Sequence, residues 1–138
     1  MRVVLLRHAS AGDRLEWEGD DMLRPLDDRG RVQAIALRDA LLRHGVTGVL
    51  SSPYVRCTET VAPLAASLGI EIELDDRLAE GAGGHGAREL LSGRDGCVAC
   101  THADIVEELI GRTLKKGAAA VLELTGSKVR LLEKIKAL

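Results

Sequence analysis

The sequence predicts an α/β fold in which a mostly parallel, mixed central sheet is flanked by helices on both faces, as a three-layer sandwich. Short apolar runs recur along the chain, and segments with helical periodicity lie between them. The segment 118–135 instead alternates apolar and polar residues around a tight turn, which indicates an antiparallel hairpin and makes the sheet mixed. Because 138 residues suit one ordinary domain, we expect residues 1–138 to form a single domain.

Each element has its own signal in the sequence. Four apolar runs bounded by turn residues are predicted to be strands, at 2–7, 48–52, 70–74 and 97–101. Three segments with an apolar stripe are predicted to be helices, at 29–43, 54–68 and 103–111. Two glycine-rich, charged segments without a clear period are expected to form loops or short helices, at 11–28 and 79–95.

Composition narrows the possible partners and the compartment. A net charge of −2 gives no reason to expect general binding to nucleic acid or to an anionic membrane. The apolar run at the start is too short for a signal peptide or a membrane span, so a cytoplasmic location is expected. Three cysteines form an odd set and are expected to be reduced. The sequence leaves the oligomeric state open, and a monomer is compatible with it.

Aromatic residues are nearly absent, since the chain has one Trp, one Tyr and no Phe. The core must therefore be built from Leu, Val, Ile and Ala, and extended base-stacking platforms are not expected. Trp17 either lines the entrance of a cleft or packs under its own loop. The "CVAC" run at 97–100 looks like a redox or metal motif, but Cys97 and Cys100 would point to opposite faces of a strand. No metal site is therefore expected.

Basic side chains and imidazoles follow three of the predicted strands. Arg7 and His8 end the first strand, Arg56 falls in the first turn of the helix after the second, and His102 follows the strand at 97–101. Ser52 and Thr101 are expected to cap the helices that begin there. The carboxyl ends of parallel strands meet along one edge, where guanidinium groups and helix N-termini favour a dianionic tetrahedral group. The pattern therefore predicts a phosphate site, and neutral imidazole there can accept a phosphoryl group.

Four motifs in this order resemble the histidine phosphatase superfamily, which has the phosphoglycerate-mutase-like fold. They are "LLRHA" at 5–9, "SSPYVRCTET" at 51–60, "LAEG" at 78–81 and "CTHADIV" at 100–106. The resemblance implies His8 as the phosphorylated nucleophile, with Arg7, Arg56 and His102 binding the phosphoryl oxygens. It implies Glu80 as the proton donor to the leaving oxygen and then the base for water. Ala9 stands where the family usually has glycine.

The resemblance also implies a metal-independent phosphatase that needs no cofactor. Only about twenty residues separate Glu80 from His102, so the cap over the site is minimal, and an open site favours hydrolysis over phosphoryl return to substrate. The small size and minimal cap look most like the SixA-type phosphohistidine phosphatases, whose substrate is a phosphorylated protein. A small phosphorylated metabolite, such as a nucleotide or sugar phosphate, is the alternative substrate. A non-catalytic phosphate-binding or phosphoprotein-binding module is a third possibility.

Overall fold

The computed structural model describes residues 1–138, which form six strands and four α-helices. The strands are β1 Arg2–Arg7, β2 Gly48–Ser51, β3 Ile72–Leu74, β4 Cys97–Thr101, β5 Ala119–Thr125 and β6 Lys128–Ile135. The helices are α1 Asp28–Leu41, α2 Val55–Leu68, α3 Gly84–Leu91 and α4 Ala103–Ile110. Two short 3₁₀ helices lie at Asp21–Leu23 and Asp76–Leu78. The predicted alternation of strands and helices is confirmed, and so is the final hairpin.

The six strands form one sheet in the order β3-β2-β4-β1-β5-β6. β1, β2, β3 and β4 are parallel, and β5 runs antiparallel to β1 and to β6. β1 is therefore central, paired with β4 on one side and β5 on the other. The carboxyl ends of β1, β2 and β4 lie side by side and form the edge of the sheet that carries the site.

Each face of the sheet is covered by a separate apolar cluster. In β1, Val3 and Leu5 belong to the cluster that includes residues of α3 and α4, whereas Val4 and Leu6 belong to the cluster with residues of α1 and α2. This alternation follows from the period of two along a strand. Cys97 and Cys100 fall in opposite clusters as well, and all three cysteines are free and buried. The three-layer arrangement and the separation of the "CVAC" thiols were both predicted.

The segment after β1 is held tightly against α1 and α2. The carboxylate of Asp27, the N-cap of α1, accepts the Gly30 backbone N–H at 2.7 Å and the Ser10 hydroxyl at 2.7 Å. A Cβ on Gly30 would lie 1.9 Å from the Ser10 carbonyl oxygen, so only glycine allows this approach. The Thr60 hydroxyl of α2 accepts the Ala9 backbone N–H at 2.9 Å. The backbone that carries His8 is thereby fixed from two helices.

Two capping predictions are wrong. α2 begins at Val55 with Tyr54 at its N-cap position and no side-chain capping bond, and the hydroxyl of Ser52, which accepts the Tyr54 N–H at 3.3 Å, lies 2.9 Å from His102 Nε2. α4 has His102 at its N-cap, since Thr101 is still part of β4 and donates its hydroxyl to the Leu78 carbonyl at 2.6 Å. None of the helices has the length and the hydropathy that a membrane-spanning segment requires.

Candidate active site

A cleft of about 420 Å³ opens at the carboxyl ends of β1 and β4. It is lined by Arg7, His8, Gly12, Asp13, Arg14, Arg24, Glu80, His102, Ala103 and Lys116. Four of the five predicted site residues line it directly. The fifth, Arg56, is fully buried beside it and reaches Glu80, with 3.6 Å between Nη2 and Oε2. The structure therefore brings all five predicted residues together.

His8 is held as a neutral imidazole with one nitrogen free. Its Nδ1 lies 2.8 Å from the Ala9 carbonyl oxygen, and because a carbonyl only accepts, Nδ1 must carry the proton. The pKa of His8 is lowered to about 3, chiefly by burial and also by the charges of His102, Arg56 and Arg7, which together outweigh the opposing effect of the Ala9 bond. Nε2 thus has an available lone pair at neutral pH.

The ring of His102 is fixed on one side and unpartnered on the other. Its Nε2 lies 2.9 Å from Ser52 Oγ and 3.6 Å from Cys57 Sγ, and its Nδ1 is buried without a hydrogen-bond partner. The ring centroid is 5.5 Å from that of His8 in an edge-on arrangement, and 4.7 Å from that of Tyr54. If Ser52 donates its proton to Nε2, Nδ1 carries the remaining proton and requires an acceptor.

The two arginines are anchored through part of each guanidinium group. Arg7 donates from Nη1 to the Leu114 carbonyl at 2.9 Å, while its Nε is buried without a partner. Arg56 donates from Nη1 to the Asp21 carbonyl at 2.9 Å and from Nη2 to the Asp21 carboxylate at 3.1 Å, and its Nε also lacks a partner. The Tyr54 ring lies below the Arg56 guanidinium at 4.8 Å, so the side chain has little freedom.

Glu80 reaches the cleft from the loop after the second 3₁₀ helix. Its Oε1 accepts Arg14 Nη2 at 2.7 Å, and its Oε2 faces Arg56. The carboxylate is about one-third exposed, so it is open to solvent from the cleft. This position suits a group that exchanges protons with both a leaving group and water.

Asp21 is a residue of this site that sequence reasoning missed. Its carboxylate contacts Arg56 and Arg24 at 3.1 and 3.0 Å, and Arg14 at 3.7 Å. Burial alone would raise the pKa of Asp21, but the bond from Arg24 and the charges of Arg56 and Arg14 hold it below its usual value. Asp21 therefore places a negative charge on the same guanidinium that a phosphoryl group would use. No local pattern distinguishes it from the other acidic residues of segment 11–28.

The unpartnered donors indicate the charge of the ligand. Five buried side-chain polar atoms in the molecule lack a hydrogen-bond partner, and three of them are Arg7 Nε, Arg56 Nε and His102 Nδ1. Buried polar groups are normally satisfied, so such a cluster at one cleft marks a ligand site. All three nitrogens can donate a hydrogen bond. The cleft can therefore bind a compact, oxygen-rich anion.

Comparison with protein families matches residues 3–89 to branch 1 of the histidine phosphatase superfamily. A curated relative from Mycolicibacterium smegmatis, an 8-oxo-(d)GTP phosphatase, is 40% identical over 115 residues. The match covers 78% of this chain and 36% of the relative, so this chain spans about a third of that protein's length.

Solved structures with the same fold include two of the SixA type. One, from Agrobacterium tumefaciens, has a TM-score of 0.79 at 24% identity over 97% of each chain. The other is the protein histidine phosphatase SixA in complex with tungstate, with a TM-score of 0.77 at 21% identity over 99% of this chain and 97% of that one. These likenesses extend over almost the whole of each chain, and they confirm the predicted phosphoglycerate-mutase-like fold.

Proposed function

This chain belongs to the histidine phosphatase superfamily, and from that membership we propose that it hydrolyses phosphoryl groups through a covalent phosphohistidine on His8. The observation that carries the proposal is the convergence of a neutral, oriented imidazole with three unpartnered donors, Arg7 Nε, Arg56 Nε and His102 Nδ1. A phosphoryl group would satisfy all three donors. Phosphoryl transfer depends mainly on positioning and charge stabilisation, which this arrangement supplies without a metal or cofactor.

In the first step, Nε2 of His8 attacks phosphorus and the bond to the leaving oxygen breaks. Arg7, Arg56 and His102 bind the remaining phosphoryl oxygens. Glu80 donates a proton to the departing oxygen as general acid. The product alcohol leaves, and His8 carries the phosphoryl group on Nε2.

In the second step, the Glu80 carboxylate removes a proton from water as the water oxygen attacks phosphorus. The bond from phosphorus to His8 breaks, and inorganic phosphate and neutral imidazole are restored. The Nδ1 bond to the Ala9 carbonyl stabilises the positive charge that the ring carries in the intermediate. The partly exposed position of Glu80 gives water access to this step.

Two substrate classes remain candidates. The sequence resemblance favours a SixA-like phosphohistidine protein, and the open cleft supports it, but the likeness to SixA structures is below 25% identity and concerns the fold. The 40% identity to an 8-oxo-(d)GTP phosphatase favours a small-molecule phosphate, specifically a nucleotide. We therefore place the small-molecule substrate first and the phosphohistidine protein second.

The test is to capture the phosphorylated enzyme. The protein is mixed with a reactive phosphoryl donor such as acetyl phosphate, quenched at alkaline pH, and analysed by intact mass and peptide mapping. We expect one acid-labile phosphoryl group on His8, and none in the His8→Asn variant. His44→Asn is the matched control, because His44 is exposed and lies with Arg2 and Gly96 at the opposite end of β1 and β4 from the cleft. Absence of both adduct and donor turnover would instead support a non-catalytic phosphate-binding module.

A further inference from the structure

A second recess adjoins the phosphate cleft. It has a volume of about 250 Å³ and is lined by Ala11, Gly12, Asp13, Glu16, Trp17, Arg24, Pro25, Leu26 and Asp27. Gly12, Asp13 and Arg24 line both this recess and the cleft, so the two spaces are adjacent. A ligand whose phosphate lies in the cleft would pass over these shared residues to place its other end beside Trp17. We call this space the Trp17 recess.

The indole of Trp17 is held in place and offers only its apolar surface. Its Nε1 donates to the Asp20 carbonyl at 3.0 Å, which uses the one polar group of the ring. The next residue, Asp21, contacts Arg56, so the same short segment fixes both the indole and the catalytic-site arginine. Trp17 is nevertheless 37% exposed, although most of the apolar side chains in this chain are buried. A fixed, exposed indole beside Pro25 and Leu26 is suited to stacking with a planar ring.

Charge differs between the two spaces. Among the charged side chains, Arg7, Arg14, Lys116 and Glu80 line only the cleft, Glu16 and Asp27 line only the Trp17 recess, and Asp13 and Arg24 line both. A carboxylate has two acceptor oxygens and can take a pair of N–H donors from the edge of a base. The ligand that fits both spaces has an anionic phosphate at one end and a planar ring with N–H donors at the other.

We propose that the Trp17 recess is a base-binding subsite, in which a purine stacks on Trp17 and donates N–H groups to Asp13 or Glu16. The substrate is then a purine nucleoside phosphate, with guanine preferred over adenine, since the N1–H and the amino group of guanine lie side by side. This inference rests on the proposed phosphatase function and names its substrate class. One indole stacks one base, so the inference agrees with the expectation that the chain does not bind nucleic acid.

The chain has a single tryptophan, which makes binding directly observable. The His8→Asn variant is titrated with GMP, AMP and ribose 5-phosphate while tryptophan fluorescence is excited at the red edge and corrected for nucleotide absorption. We expect saturable quenching by GMP, weaker quenching by AMP, and little change with ribose 5-phosphate, which has the phosphate but no base. Equal responses to GMP and ribose 5-phosphate, or none to either, would count against the subsite.

A kinetic comparison provides the second readout. The variants in this comparison keep His8. For each enzyme, kcat/KM for GMP is divided by kcat/KM for ribose 5-phosphate. We expect this ratio to fall about tenfold in Trp17→Ala, within the usual range for base–aromatic stacking. Most of that loss should be recovered in Trp17→Phe. Leu15→Ala is the matched control, because Leu15 is 92% exposed in the same loop and lines neither space. A ratio unchanged by Trp17→Ala, or no wild-type preference for GMP over ribose 5-phosphate, would overturn the inference.

These outcomes are separable from a failure of the proposed function. Phosphorylation of His8 by acetyl phosphate does not require a base and so tests the chemistry alone. If His8 is phosphorylated but the GMP ratio does not depend on Trp17, the phosphatase proposal stands and the subsite is rejected. If His8 takes no phosphoryl group but GMP still quenches Trp17, the subsite is retained as a binding site and the catalytic proposal is rejected.

Discussion

Ser52 Oγ and His102 Nε2 lie 2.9 Å apart in a region closed to solvent, where the serine is 0% and the histidine 1% exposed. This contact fixes the rotation of the imidazole and, when the hydroxyl donates, directs the other ring proton to Nδ1. Nδ1 is the atom that lacks a partner. We therefore infer that Ser52 is a positioning residue, which would act on a bound phosphoryl group through His102.

Replacing Ser52 with Ala should lower kcat/KM about tenfold and destabilise the fold by about 1 kcal/mol, the usual contribution of one buried hydrogen bond. Ser51→Ala is the matched control, because Ser51 is equally buried but donates to the Ser52 carbonyl at 2.7 Å. The measurements are steady-state rates across pH and urea unfolding. A purely structural role would give both variants the same loss of activity with unchanged pH profiles.

The leaving group should determine how much Glu80 matters. Glu80→Gln keeps the size of the side chain but removes the carboxylic acid, and we expect hydrolysis of an alkyl phosphate ester to slow about a hundredfold. Hydrolysis of a phosphoramidate should slow much less, because its nitrogen leaving group needs less help from this acid. Rates with both substrates check this, and equal losses on the two would show that Glu80 is not the proton donor.

Asp21 should compete with phosphate for Arg56. Asp21→Asn removes a negative charge 3.1 Å from Arg56 Nη2, and we expect inorganic phosphate to inhibit about fivefold more strongly, corresponding to about 1 kcal/mol for a partly exposed charge. Asp20→Asn is the control, since the Asp20 carboxylate caps the 3₁₀ helix by accepting the Met22 N–H. Weaker phosphate inhibition in Asp21→Asn would indicate that Asp21 mainly orients the arginine.

The low pKa of His8 should appear in the pH dependence of stability. A histidine with a pKa of about 3 in the folded state stays neutral, whereas in the unfolded chain it takes a proton below about 6.5. The unfolded state therefore binds more protons, and the free energy of unfolding should fall by about 1.4 kcal/mol per pH unit between roughly pH 6 and 4 from this group. His8→Asn should show a shallower slope in urea titrations over that range. Parallel slopes for the two proteins would contradict the desolvation of His8.

Gly30 should be sensitive to the addition of a single methyl group. A Cβ there would lie 1.9 Å from the Ser10 carbonyl oxygen, so Gly30→Ala must displace α1 or the segment after His8. We expect a loss of about 3 kcal/mol in the free energy of unfolding, together with reduced activity. Gly48→Ala, in β2, is the control, because a Cβ at Gly48 has no atom within 4 Å. Similar free energies of unfolding for the two variants would show that the segment after His8 moves to accept the methyl group without loss of stability.

The sequence predicted the positions of the site residues best where a polar side chain comes directly after a strand. Arg7 and His8 could be placed because β1 alternates between two buried faces and then changes abruptly to polar side chains. The same reasoning located Arg56 and His102 beside them. Ser52 shows the limit: its local setting matches an N-cap, but its partner His102 comes fifty residues later, and the tertiary contact prevails. Asp21 has the same difficulty, since its contact with the site, through Arg56, is distant in the sequence and the surrounding loop has many carboxylates.

The central position of β1 also has a kinetic consequence. Val4 pairs with Val98 in β4 and with Val121 in β5, so the strand that carries His8 completes its pairing only after most of the chain has been brought together. Pairing strands that are distant in the sequence costs conformational entropy before the new contacts stabilise them. Folding is therefore expected to be slow for a chain of this size. During refolding, the ability of His8 to accept a phosphoryl group should therefore return in the last cooperative step. No early intermediate should be able to accept a phosphoryl group.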